Sequence, residues 1–235
     1  MCIRDRPFAA IFEWSVRGIA QGRRLRIDSR EVVEITVNTL GVGAAATALT
    51  ILLALPIAFL HGRHRSRVGS LSHAIAISTF AMPGILVALA AIFFINQSDW
   101  TFATFHNTLS IVILAYTVRF AGLAMGTTLI AIQAVPTSLG EVARTLGVSR
   151  ARRFRSIELP LVAPGLLASG GLVLLSTLKE LPISLLLSPP EFETLSTRIF
   201  GLFGESFVTE AGLVSIVLVC ISLVATWLLI LRQTE

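Results

Sequence analysis

Of the 235 residues, 54% are hydrophobic and 14% charged, and the mean hydropathy is +0.81; a water-soluble globule, with about a quarter of its residues charged, is excluded. The net charge is +5, but the arginines sit between long uncharged runs, so the basic excess belongs to loops at a bilayer surface and nucleic acid is not an expected partner. Cys2 and Cys220 are single and far apart, which supports neither a disulfide framework nor a metal site.

Residues 1–35 carry seven arginines against five carboxylates and have no apolar core of a signal peptide. This segment is expected to be extracytoplasmic, with Met1–Arg6 a non-native leader joined to an incomplete gene and one span missing upstream. Beyond it, five stretches, near 36–60, 71–95, 108–131, 164–188 and 210–231, hold the roughly 20 apolar residues that a helix needs to cross about 30 Å of hydrocarbon. The expected fold is an all-α membrane protein. A β-barrel is excluded, because its strands alternate in segments of about ten residues instead of running continuously apolar.

Within the first span Pro56 reads as ordinary helix shaping. Pro83-Gly84 falls in the middle of the second span and Pro182 in the fourth; each proline removes a backbone hydrogen bond, so Pro83, Gly84 and Pro182 are candidate hinges. Gly122 and Gly126 in the third span have the spacing that lets a neighbouring helix approach. The same region holds Arg119, and the fourth span holds Lys179 and Glu180. A charge inside a span costs several kcal/mol unless it is paired or wetted. Measured from outer ends at 108 and 188, Arg119 lies about 16 Å deep and Glu180 about 12 Å deep, so the two can form an ion pair. Either they hold spans three and four together, or they line the route of a charged substrate.

Arginine placement orients the chain. Arg63, Arg65 and Arg67 follow the first span, Arg144, Arg150, Arg152, Arg153 and Arg155 lie in the 132–162 loop, and Arg232 lies in the 232–235 tail; these mark the cytoplasmic side. The 96–107 and 189–209 loops have Arg198 as their sole basic residue beside Asp99, Glu191, Glu193 and Glu205, and are expected outside. His61, His64, His73 and His106 have no metal-ligand spacing; neither metal nor cofactor is expected.

The loop 132–162 is the most informative segment. Pro136 and Thr137 break the preceding helix, Ser138 and Glu141 have the spacing of a capping box, Gly147 can terminate the helix at positive φ, Ser149 can cap a second helix and Pro160 keeps that helix from donating normally to its last turn. Two short helices meeting at a glycine elbow are expected. Glu141, Ala143, Gly147, Ile157, Leu159 and Pro160 stand at the spacing of the EAA coupling loop, and this loop resembles that of ABC-importer permeases. Val142 departs from the usual second alanine. FAMPGILV at 80–87, YTVRF at 116–120 and LKELPISL at 178–185 resemble segments of ferric-iron-type permeases.

The resemblance, covering about 36–231, implies a multi-pass subunit of the bacterial inner membrane, with the type I importer bundle. It implies alternating access, ATPase subunits docked on the coupling loop, a periplasmic binding protein outside and a second permease half. It tilts the cargo to ferric iron, with thiamine, polyamines or an inorganic anion as alternatives. The sequence has no glycine-rich phosphate loop of the G-x-x-x-x-G-K-[ST] type and no nucleophile–base constellation, so no catalytic residue is expected and ATP hydrolysis falls to a partner. An ion-coupled carrier is the remote alternative.

Overall fold

The computed structural model describes residues 28–64 and 67–234, together with Glu13 and Ser15. The expected leader at 1–6, most of the 1–35 segment and Cys2 therefore lie outside the described residues, as does Glu235. Among the described residues every regular element is a helix.

Helix α1, Ser29–His64, starts within the stretch expected to precede the membrane and passes Pro56 without a break. The second span is not one helix. Helix α2 (Arg67–Ala81) and helix α3 (Gly84–Ile95) meet at 110°. Pro83 causes this: it has no N–H to continue α2, it disfavours the helical conformation of Met82 before it, and at φ −58°, ψ 140° its carbonyl accepts the first amides of α3, Leu86 N at 3.0 Å and Val87 N at 3.4 Å.

A short helix α4, Asp99–Phe105, is capped by Ser98 and Thr101 acting reciprocally. It leads into α5, Leu109–Ala134, which packs against α1, α2, α3 and the long helix that follows the loop. One face of α5 buries Val112, Ala115, Tyr116, Phe120 and Ala124 against Val42, Ala46, Ala88 and Val173. A Cβ on Gly122 would meet the Ala76 carbonyl and Phe80 Cβ, so α2 crosses α5 there at backbone contact; Gly126 has nothing within 4 Å. Only the first glycine of the pair serves a close approach.

After the short α6 (Thr137–Thr145), α7 runs from Arg150 to Leu178 as one span-length helix. The expected fourth span, 164–188, is thus displaced toward the loop and stops ten residues early. The chain breaks at Lys179–Leu181, re-forms as α8 (Pro182–Leu187), and continues through α9 (Leu195–Gly204) to α10 (Val208–Thr234). Among the described residues four helices have the length and apolarity of a span, and the bent pair makes a fifth if counted as one. Leu52, Phe93, Ile130 and Trp227 lie on an apolar exterior, each more than half exposed, which suits a lipid environment.

Candidate coupling loop and intramembrane charges

Helix α6 starts two residues earlier than the capping-box spacing requires. Pro136 holds the N-cap position at φ −59°, ψ 137°, with no side-chain cap, and Ser138 is already inside the helix. The expected Ser138–Glu141 box does not form, because a cap must come from the extended residue before the helix and proline has no side-chain acceptor. The other end follows the sequence. Gly147 has φ +75°, Val148 N–H donates to the Ala143 carbonyl at 3.0 Å and Gly147 N–H to that of Arg144 at 3.1 Å. This pair of bonds is a Schellman stop, and the φ is why glycine stands there.

Ser149 takes the N-cap of α7 but makes no side-chain cap bond. The expected second helix is not short, since it runs past Pro160. Pro160 cannot donate to Ser156, the helix widens into a π-helical turn over Phe154–Glu158, and Leu159 N–H reaches back to the Phe154 carbonyl. The helix then continues into the membrane segment.

The six loop residues occupy distinct places around α6. Ala143 is 4% exposed. Glu141 and Ile157 line a cleft of about 170 Å³ with Phe59, Arg63, Arg144 and Arg153. Leu159 is half-buried and Pro160 exposed just beyond the wide turn. Arg153 joins the two helices, its Nε 3.0 Å from Glu158 Oε1 and its Nη1 donating to the Gly140 carbonyl at 3.4 Å, while Phe154 packs edge-on against Phe59 of α1, ring centroids 5.3 Å apart. Leu139, at the edge of this cleft, and Val142 and Leu146 are 43%, 57% and 75% exposed. Their spacing of three and four places them in one stripe, so the bulk that Val142 adds points outward.

Arg119 and Glu180 do not form the expected ion pair. The pairs within 4.0 Å among the described residues are Arg153 with Glu158 and Arg198 with Glu31 and Glu193. Arg119 instead donates from Nη1 to the Phe80 carbonyl at 2.5 Å, and its guanidinium stands 5.7 Å and 5.8 Å from the ring centroids of Phe80 and Phe120. The break at Pro83 removes intrahelical donors from the last carbonyls of α2, and Arg119 supplies one. Lys179 is exposed at the C-terminal end of α7. Glu180 sits in the break before Pro182, so its depth cannot be counted along a continuous helix to 188. Its carboxylate lies against Gly84, and a Cβ there would collide with Oε1. Pro83 and Gly84 form the α2–α3 corner, whereas Pro182 opens α8.

Sequence reading missed the polar groups that stabilise this break. Ser196 Oγ donates to the Glu180 carbonyl at 3.1 Å, while Ser184 Oγ at 3.2 Å and Tyr116 Oη at 3.4 Å lie within reach of the same oxygen. The Tyr116 and Ser184 hydroxyls bond to each other, so one of these two donates to its neighbour and the other to the carbonyl. Backbone freed at membrane depth needs such partners. Isolated hydroxyls in an apolar stretch leave no pattern to find. Glu210, 2% exposed in the first turn of α10 with Oε2 unpartnered, was also given no role; its signal was an acidic residue entering an apolar run.

The sequence matches the profile of binding-protein-dependent transport system inner membrane components over residues 32–233. It is 26% identical over 203 residues to the Fe(3+)-transport system permease protein FbpB 2 of Haemophilus influenzae, covering 86% of this chain and 39% of that protein. It is 27% identical over 143 residues to the putative 2-aminoethylphosphonate transport system permease protein PhnV of Salmonella typhimurium, covering 61% of this chain and 53% of the relative. Both relatives are thus substantially longer than the part this chain matches. Among solved structures it resembles the inward-facing MetNI methionine ABC transporter, with a TM-score of 0.72 and 16% identity over 88% of this chain and 99% of that one. A bacterial ABC transporter importing the acidic polysaccharide alginate gives 0.67 and 17%, covering 99% of this chain and 89% of the other. These likenesses carry the fold, that of ABC-importer transmembrane subunits, and the profile match carries the family: the chain belongs to the inner membrane components of binding-protein-dependent transport systems.

Proposed function

We propose that the chain works as one transmembrane half of an ATP-driven importer, receiving cargo from a periplasmic binding protein and passing it inward by alternating access. The observation that carries this reading is the mechanical continuity of the loop. The exposed Leu139–Val142–Leu146 stripe offers a partner an apolar docking face, Gly147 fixes the turn behind it, and α7 runs without interruption into the membrane. Force applied to α6 reaches the bundle through Arg153, Glu158 and the wide turn. The ATPase subunits would dock here and hydrolyse ATP, with Glu141, Ala143, Gly147, Ile157, Leu159 and Pro160 forming the coupling element. In this reading the loop and the C-terminus face the cytoplasm, and a second permease half completes the pathway.

For cargo we infer ferric iron. The supporting observations are the likeness to an Fe(3+) permease and the LKELPISL segment at 178–185. Likeness to 2-aminoethylphosphonate permeases favours an organophosphonate as the second reading. Uptake of radioactive ferric iron and of 2-aminoethylphosphonate by cells expressing the intact transporter, compared with cells lacking this subunit, separates the two. Subunit-dependent iron uptake is the expected result; phosphonate uptake alone would replace the first reading with the second.

A further inference from the structure

We propose that Arg119 and Glu180 are positioning residues that act on the broken second segment, each holding one half of it by a free helix end, and that they do not meet in a direct ion pair. A helix carries roughly half a negative charge at its C-terminus and half a positive charge at its N-terminus, borne by carbonyls and amides that lack intrahelical partners. Ending α2 and starting α3 at one corner exposes one of each. The two halves cannot answer this from their own sequences: α2 has no basic residue in its last turn, and α3 has neither an acidic residue in its first turn nor a side-chain cap.

The missing charges come from elsewhere, with the correct sign at each end. Arg119, on α5, reaches the Phe80 carbonyl in the last turn of α2, and beside it Thr79 Oγ1 donates to the Val118 carbonyl at 2.8 Å, a second tie between the same two helices. Glu180, from the break before α8, lays its carboxylate on Gly84, the first residue of α3. The Glu180 backbone is itself tied to α5 through Tyr116 and to α9 through Ser196, so the carboxylate links α3 to the element that also holds α2. Two opposite charges near one corner, with no ion pair within 4.0 Å between them, are accounted for once each is assigned to a different helix end. It follows that α3 cannot change its angle to α2 without separating Glu180 from Gly84 or Arg119 from Phe80. This holds whatever the cargo is.

The test uses the full chain, with the subunits that co-purify with it, in lipid nanodiscs. Spin labels go on Leu71→Cys and Phe93→Cys, 65% and 76% exposed near the far ends of α2 and α3, with Cys2 and Cys220 replaced by serine. A change of about 15° in the bend moves the far end of a twelve-residue helix by about 5 Å, well within reach of an electron–electron distance measurement. Glu180→Gln keeps the shape and removes the charge; it should shift or broaden the distribution, as should Arg119→Met, and the double variant should show no recovery. Should Arg119→Met not fold, Arg119→Lys, which retains a cation and a donor, should hold the native distance while Arg119→Gln does not. A native distribution in both Glu180→Gln and Arg119→Met would overturn the proposal. So would recovery in the double variant, which would make the two charges partners, and so would equal losses in Arg119→Lys and Arg119→Gln.

Discussion

The Oε1 atom of Glu180 lies too close to the place where a Cβ on Gly84 would stand for both to be present. The contact joins the two interruptions of the bundle, the Pro83–Gly84 corner and the Lys179–Leu181 break, although they are about a hundred residues apart in sequence. It also makes glycine at 84 a matter of space and not only of flexibility.

Gly84→Ala should therefore push the carboxylate off the start of α3 and lower the unfolding temperature of the detergent-solubilised protein, in line with the roughly 1–3 kcal/mol typical of overpacking. Gly126→Ala is the control: nothing lies within 4 Å of its Cβ position, and alanine is the better helix former by about 0.5–1 kcal/mol. Equal melting temperatures for Gly84→Ala and Gly126→Ala would show that the contact does not constrain the chain.

At the loop, Gly147→Val places a β-branched residue at φ +75°, a left-handed conformation that costs non-glycine residues about 1–2 kcal/mol or more. Coupling between ATP hydrolysis and transport should fall while the subunit still inserts, and Gly147→Asn, which tolerates the same φ, should retain most of it. Indistinguishable transport in all three proteins would remove the elbow from the account.

Opposite the loop, Thr39 is 4% exposed and its Oγ1 accepts the Leu195 amide at 2.8 Å, tying α1 to the start of α9. Thr39→Val keeps the shape and leaves that amide unpartnered, which should cost about 1–3 kcal/mol. Thermal unfolding reads the loss directly; Thr50→Val is the comparison, since Thr50 Oγ1 donates only within its own helix, to Ala46.

Orientation can be read by labelling. Single cysteines at Ser149 and Gln97, both exposed, in a background lacking Cys2 and Cys220, should respond oppositely to a membrane-impermeant thiol reagent added to intact cells: Gln97→Cys labelled, Ser149→Cys protected. The reverse pattern would invert the topology inferred from the arginines.

How much of this was legible depended on the range of the interaction. Apolar runs located α1, α5, α7 and α10 because span length is a property of composition, and Gly147 announced its turn because positive φ favours glycine. Pro83 was readable as an interruption, but its 110° angle depends on Gly122 admitting α2 against α5 and on charges supplied by α5 and by the break before α8. Pro160 was readable as a disturbance of the helix hydrogen bonds, but not as the π-helical turn through which α7 continues. The Arg119–Glu180 pairing failed because depth was counted along a continuous helix, whereas Lys179–Leu181 is a break held by Ser184, Ser196 and Tyr116. None of those hydroxyls stands out in the sequence.

The central claim is that the outward stripe of α6 receives the ATPase. The direct measurement is co-purification of the ATPase subunit with Leu146→Glu, a change at a side chain 75% exposed that leaves the bundle core untouched. The account predicts that the variant inserts and melts like the parent but no longer retains the ATPase or supports uptake. Full retention of the ATPase, with uptake at the parent level, would contradict it.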